Sequence, residues 1–244
     1  AKFDVGVNFA LFNKLNVELD YYNQRTKDMI FQVPMSYTSG FKYVTKNIGE
    51  MENQGFEAMV NVNLIQTNDF SWSVNTTFTY NKNKILRLAT DDPITTTWSI
   101  QQAGKPINSY YLKEYAGVDT QTGEALFYTN GKGSETTADP NQASQVIQGQ
   151  ISPKYFGSLG MNFKYRDFDL AVSANYSGGN QVYNRGMEFD LMVGDYELGP
   201  VANYVYENRW QKPGDVTDVP QFIAGGQGEA AARSTRFLMD GSYL

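Results

Sequence analysis

Cysteine and histidine are both absent from the 244 residues, and proline is sparse at 8. The first two absences remove Ser-His-Asp and Cys-His nucleophile systems, thiolate zinc sites and histidine-ligated metals together, so no enzyme, metal or cofactor is expected. Charge is thin as well, at 19% of residues, against about 25% in soluble domains. The 20 basic residues are scattered and outnumbered by 26 acidic ones, for a net charge of −6. Phosphate recognition needs clustered Lys and Arg, so no nucleic acid partner is expected. Long apolar runs are missing too, and with them any helical membrane span, which needs about 18 such residues. That test is blind to transmembrane barrels, whose alternating strands average out polar, so the mean hydropathy of −0.47 is no argument against one. Ala1-Lys2-Phe3-Asp4 opens the chain without a charged-then-apolar leader, which reads as a mature piece or an internal fragment.

What is present is aromatic and periodic. Aromatics make up 14% of the chain, and apolar residues recur at every second position over long stretches. Phe3, Val5, Val7, Phe9 and Leu11 share one strand face; after Asn13-Lys14 the pattern resumes as Leu15, Val17, Leu19 and Tyr21. Phe56, Ala58, Val60, Val62 and Leu64 repeat the design, turn at Thr67-Asn68-Asp69, and return as Phe70, Trp72, Val74, Thr76, Phe78 and Tyr80. Tyr155, Gly157, Leu159, Met161, Phe163 and Tyr165 form a third unit, turning at Arg166-Asp167 into Phe168, Leu170, Val172, Ala174 and Tyr176. The pattern predicts three hairpins.

Their connections are unequal. Every second one is two or three residues, whereas the others run about 31 to 49, 82 to 152 and 179 to 236. Compact soluble domains rarely carry structureless loops beyond about 15 residues. Outer-membrane barrels combine short turns on one rim with long loops on the other. Strands of about 11 residues, tilted by roughly 40°, would rise close to 28 Å, comparable with the apolar band of such barrels. Tyr21, Phe70, Trp72, Tyr80, Tyr155, Tyr165, Phe168 and Tyr176 fall near strand ends, where an interfacial girdle would sit. The expected class is therefore all-β, an antiparallel transmembrane barrel segment with Val5, Val7, Val17, Val62, Val74 and Val172 toward lipid. Asn8, Glu18, Asn61, Asn75 and Asn175 would line the lumen. A water-soluble sheet covered by β-favouring aromatics remains the alternative.

Within the loops, residues 107 to 129 read as two short strands about a turn at Asp119 to Gly123. Residues 130 to 150 read as flexible, and 187 to 210 as a short amphipathic helix. Gly131-Lys132-Gly133 fails the dinucleotide pattern, and Asp119 to Glu124 lacks the ligand spacing of a calcium loop. Asp91-Asp92, Glu188 with Asp190, and Asp195 with Glu197 could mimic a glycosidase pair, but solvated loop charge is the simpler reading. The sequons at Asn75 and Asn175 lie inside expected strands. Loop aromatics are the candidate ligand or lid contacts: Trp98, Tyr110, Tyr111, Tyr204 and Trp210, with Tyr115 and Tyr206 beside them, because such rings offer a flat apolar face with a polar edge.

Several blocks then carry a resemblance: Asn47-Ile48-Gly49 with Glu52 to Glu57, Gly104-Lys105-Pro106-Ile107, Asp119 to Tyr128, Ile151 to Gly157, Tyr165 to Leu170, Gly178-Gly179 through Tyr183-Asn184, Arg209-Trp210 with Lys212 to Asp215, and Arg236 to Leu244. In this order and spacing they resemble the SusC/RagA family of TonB-dependent outer-membrane transporters. The resemblance implies a late part of a 22-stranded barrel, with six long strands and the start of a seventh spanning residues 1–244. The plug and the TonB-contacting segment would lie outside it. It further implies the outer membrane of a Gram-negative bacterium, TonB and a SusD-like lipoprotein as partners, outer-membrane lipid around the wall, and an oligosaccharide or peptide substrate. A soluble or surface-attached β-rich carbohydrate-binding protein is the competing functional reading.

Overall fold

The computed structural model describes residues 1–88, 92–191, 202–223 and 233–244. Long strands come first: β1 (Lys2–Leu11), β2 (Leu15–Pro34), β3 (Tyr43–Gln66) and β4 (Phe70–Arg87). Short ones fill the next connection: β5 (Ile94–Thr95), β6 (Ser99–Gln101), β7 (Ser109–Lys113), β8 (Tyr115–Val118), β9 (Ala125–Tyr128), β10 (Thr136–Thr137) and β11 (Gln145–Gln150). Two further long strands follow, β12 (Tyr155–Tyr165) and β13 (Phe168–Gly178). Beyond them, β14 (Gln181–Tyr183) and β15 (Leu238–Asp240) flank two short helices, α1 (Arg185–Asp190) and α2 (Asn203–Asn208).

The long strands pair in the order β1-β2-β3-β4-β12-β13, antiparallel throughout, as a sheet curled like half a barrel. The expected turns are where the sequence placed them. Phe12 and Asn13 adopt positive φ in the first, and Arg166 in the third. The Arg166 N–H donates to the Asp69 carbonyl at 2.9 Å, and the Asn63 N–H to the Lys14 carbonyl at 2.8 Å. All three turns therefore share one rim, and the longer connections leave from the other.

Register explains why the sheet has two unlike sides, because cross-strand partners share a face. One row reads Leu11, Leu15, Val62, Val74, Met161, Val172, and another Val7, Leu19, Ala58, Phe78, Gly157, Tyr176. The opposite side reads Ala10, Asn16, Asn61, Asn75, Gly160, Ser173, followed by Asn8, Glu18, Met59, Thr77, Ser158, Asn175. That polar side hollows into a cavity of about 340 Å³ among Asn8, Asn16, Glu18, Met59 and Asn61. The apolar side is bare: Phe3 is 59% exposed, Val7 56% and Leu170 59%.

Aromatics bound this apolar side twice. Tyr21, Phe56, Tyr80 and Tyr155 form one row toward the long loops; Trp72 with Phe163 and Phe70 with Tyr165 and Phe168 form the other, toward the turns. Trp72 and Phe163 stack at 5.5 Å. From Tyr80 to Phe70 the strand climbs ten residues, or about 25 Å of height at roughly 3.3 Å per residue and roughly 40° tilt. Tyr176, expected in a girdle, lies one row inside it and donates its hydroxyl to the Thr77 carbonyl at 3.0 Å. Its ring covers Gly157, where a Cβ would come within 2.5 Å of that hydroxyl. Near the turn, a bulge between Asn63 and Ile65 makes Ile65, rather than Leu64, the partner of Trp72.

Three expectations about the loops are corrected. The first long connection is mostly strand: β2 and β3 stay paired from Ile30–Asn47 to Pro34–Tyr43, which leaves only residues 35–42 between them. Bulges around Thr26 to Ile30 absorb Lys27 and the positive-φ Asp28, so pairing resumes beyond them. The supposedly flexible 130 to 150 stretch holds β10, a 3-10 turn at Pro140–Gln142 and β11. Asp139 caps that turn by accepting from the Asn141 N–H at 2.9 Å, and β11 pairs with β7. The single helix expected over 187 to 210 is α1 and α2; residues 192–201 between them lie outside the described residues.

Candidate functional site

The loops pack into a cap above the sheet, and most of the buried side chains belong to it. Leu191, Val205, Val219 and Phe237 form one small core, with Tyr183, Met187 and Ala202 against it. Phe127 and Ala143 form another, flanked by Tyr115 and Ala125. The expected turn at Asp119 is present: its carboxylate accepts from the Gln121 and Thr122 N–H groups at 2.7 and 3.1 Å, and its own N–H donates to the Glu124 carbonyl.

The five candidate aromatics fall into two groups. Trp98, Tyr110 and Tyr111 sit at and beside β6 and β7, which pair with Ser99 opposite Tyr110. The Trp98 ring lies 4.5 Å from that of Tyr183, under the Arg233 guanidinium at 4.7 Å. Tyr110 departs from the expectation of an exposed ring. It is only 7% exposed, and its hydroxyl accepts from the Tyr183 N–H at 3.0 Å, so it braces β14. Tyr111 is half-buried and bonds through its backbone to Trp98 and Gln145.

Tyr204 and Trp210 form the second group, around α2. Tyr204 is exposed and donates to the Asp218 carboxylate at 2.8 Å. Trp210 donates its indole N–H to the Thr120 carbonyl at 3.1 Å and lays its ring on Gly123, where a Cβ would fall 2.3 Å from Cε3. Gly123 also has φ +76, so the turn and the tryptophan fix each other. Beside Tyr204 a cleft of about 460 Å³ opens between Asn184, Met187, Asp190, Leu191 and Asp218. Its two carboxylates, Asp190 and Asp218, can accept hydrogen bonds from hydroxyl or ammonium groups.

Pattern reading missed Tyr183, Arg233, Arg236 and Asp218 as parts of this cap. Burial pushes the Tyr183 phenol well up, helped by the Glu188 carboxylate. Burial likewise pushes Tyr115 up to about 12 and outweighs the Arg236 guanidinium, which pulls the other way. Arg236 itself is lowered by burial and lies 5.7 Å from the Tyr115 ring centre and 5.3 Å from that of Phe237. Glu188 is buried and Asp190 exposed, so they occupy separate environments rather than flanking one ligand. Asp91, Asp195 and Glu197 lie outside the described residues. Among the described residues no group of three metal-ligating side chains occurs, and no helix is long and apolar enough to cross a membrane.

Residues 2–186 match the family model described as the TonB dependent receptor-like β-barrel. The chain belongs to that family. Over 99% of its length it is 30% identical to "TonB-dependent receptor P3" of Formosa agariphila, and 25% identical to "TonB-dependent receptor SusC" of Bacteroides thetaiotaomicron. The RagAB peptide importer, solved in its "closed-closed" state, superposes with a TM-score of 0.87 at 27% identity over 99% of this chain and 27% of its own. The chain spans about a quarter of the length of the curated relatives it matches. Membership makes sense of the bare apolar side as the lipid face of a barrel wall, and it sets aside the water-soluble sheet, for which that face would have to lie against water.

Proposed function

We propose that this chain forms wall and loop cap of a TonB-dependent importer in the outer membrane of a Gram-negative bacterium. The importer takes up oligosaccharide or peptide together with a SusD-like surface lipoprotein. The observation that carries the reading is the likeness to the RagAB peptide importer and to SusC over almost the whole chain, loops included. TonB coupling belongs to parts of the protein beyond these residues. Here the polar side lines the lumen, the apolar side meets lipid, and the cap offers Trp98, Tyr111, Tyr204 and Trp210 to cargo or to the lipoprotein. Tyr110 contributes by holding β14 in place.

The test is made in the full-length protein. Deleting its gene abolishes growth on one oligosaccharide or peptide source, and the tagged barrel co-purifies with a surface lipoprotein. Combining Trp98→Ala, Tyr204→Ala and Trp210→Ala reduces that growth while the heat-resistant barrel stays at normal surface abundance. Growth unchanged in the triple variant would return these rings to loop packing.

A further inference from the structure

Just above the upper aromatic row, β4 runs on past its neighbour. β12 begins at Tyr155, opposite Tyr80, so residues 81–87 have no wall strand on that side. Loop backbone closes the edge at two points: the Asn81 N–H donates to the Lys154 carbonyl at 2.8 Å, and the Ile85 N–H to the Lys105 carbonyl at 2.9 Å. Between these points lies a cleft of about 310 Å³, lined by Tyr80, Lys82, Lys84, Gly104, Gln150 and Lys154. N–H groups at alternate residues of a strand point to the same side. The Asn83 N–H, between those of Asn81 and Ile85, is therefore directed into the gap.

Register places Lys82 and Lys84 on the same face as Tyr80, which is the lipid face. All three lysines are exposed, and among the described residues none has a carboxylate within ion-pair distance. The acidic residue opposite Lys84 is Glu52, and it is already engaged by Arg25 at 3.7 Å and Asn23 at 3.1 Å. Three ammonium groups around one cleft repel each other, and an anion seated among them would relieve that repulsion. Height decides which anion. Aromatic girdles mark the membrane–water boundary, and the lysines begin one step above the row Tyr21, Phe56, Tyr80 and Tyr155. That is the level of lipid headgroups.

We infer that Lys82, Lys84 and Lys154 form a phosphate site for an anionic lipid headgroup of the outer leaflet, anchoring the wall beside its loop cap. Phosphate is the shared chemistry of such a headgroup and of free inorganic phosphate; the outward position of Lys82 and Lys84 favours the lipid. The inference rests on the membrane-wall reading.

Its test uses the full-length protein, extracted and stripped of lipid, and compares it with a variant carrying Lys82→Gln, Lys84→Gln and Lys154→Gln. Binding is measured in neutral detergent micelles doped with monophosphoryl lipid A, with its dephosphorylated form, or with inorganic phosphate added to undoped micelles. The wild type should bind the phosphorylated lipid about tenfold or more tightly than the triple variant, and Lys82→Arg with Lys84→Arg should retain binding. Equal affinity in wild type and triple variant, or for both forms of the lipid, would overturn the site. Inorganic phosphate binding as tightly as the lipid would overturn the lipid assignment. Heat-resistant mobility and detergent dependence of both proteins are recorded alongside. Their loss in the wild type counts against the membrane wall itself, whereas an intact barrel without selective lipid binding counts against the lysine site alone.

Discussion

The wall and the cap use the same apolar residue types in opposite ways. Val7, Phe3 and Leu170 of the wall stand bare on one face, while Leu112, Phe127, Val219 and Phe237 of the cap are at most 1% exposed. Among the described side chains of the wall Ile85 is the exception, buried where β4 runs up against Ile94 and Ile107 of the loops. The cap is stabilised as water-soluble proteins are, by hiding apolar surface. The wall is stabilised by its hydrogen-bond ladder and by a solvent that accepts apolar surface. Apolar content therefore says little about location until the solvent on each side is known.

Truncating a core residue of the cap should break the comparison most sharply. In the full-length protein, Phe237→Ala should cost the cap about 3 to 5 kcal/mol, because the ring packs with Leu191, Val205 and Val219 and meets Tyr183 edge-on at 6.2 Å. Hydrogen exchange of the β14–β15 amides should rise steeply while the mobility of the heat-resistant barrel stays normal. Loss of the barrel itself would show that cap and wall are one cooperative unit.

A charge in the wall is the converse experiment. Val62→Arg, in the row that continues through Val74, Met161 and Val172, should cost roughly 2 to 4 kcal/mol. Asn61→Arg, one residue along and facing Asn75 and Asn16, should cost much less. Reversible unfolding of the barrel into denaturant from lipid vesicles measures both, and equal costs would deny the two-sided wall.

Alkali distinguishes the regions less strongly. The Tyr115 phenol of the cap is held up to about 12 by burial, whereas in the unfolded chain it ionises near 10. A raised phenol favours the native state fully below pH 10, and this contribution drains away as pH climbs from about 10 to 12, amounting to roughly 2 to 3 kcal/mol at most. Ultraviolet titration should show late phenols, Tyr183 among them, of which Tyr115→Phe removes one, and the cap should open over that range before the wall does. The smallest effect belongs to the turn rim: Arg166 and Asp69 lie 3.6 Å apart and are both well exposed, so Arg166→Ala should cost at most about 0.5 kcal/mol.

How far each region was legible follows from the same contrast. Strand alternation wrote the wall into the sequence, since a one-residue slip would exchange the row of Val62 and Val74 with that of Asn61 and Asn75. The turns at Asn13, Asn68 and Arg166 were equally plain. The upper ends of β2 and β3 were not, because bulges at Thr26 to Ile30 break the period that identifies a strand. In the cap, Trp98 and Trp210 could be noticed as aromatic loop residues, but their surroundings could not.

Alone, then, the sequence determined the strand faces, the rim that carries the turns and the outward aromatic rows, all consequences of local period and turn chemistry. Only the tertiary structure decided that Tyr110 is buried under Tyr183, that Trp210 rests on a turn some ninety residues earlier, and that Lys154 closes a cleft with Lys82 and Lys84. Those meetings join segments far apart along the chain. No period records them, because they arise from how independently formed strands and loops fit together in space.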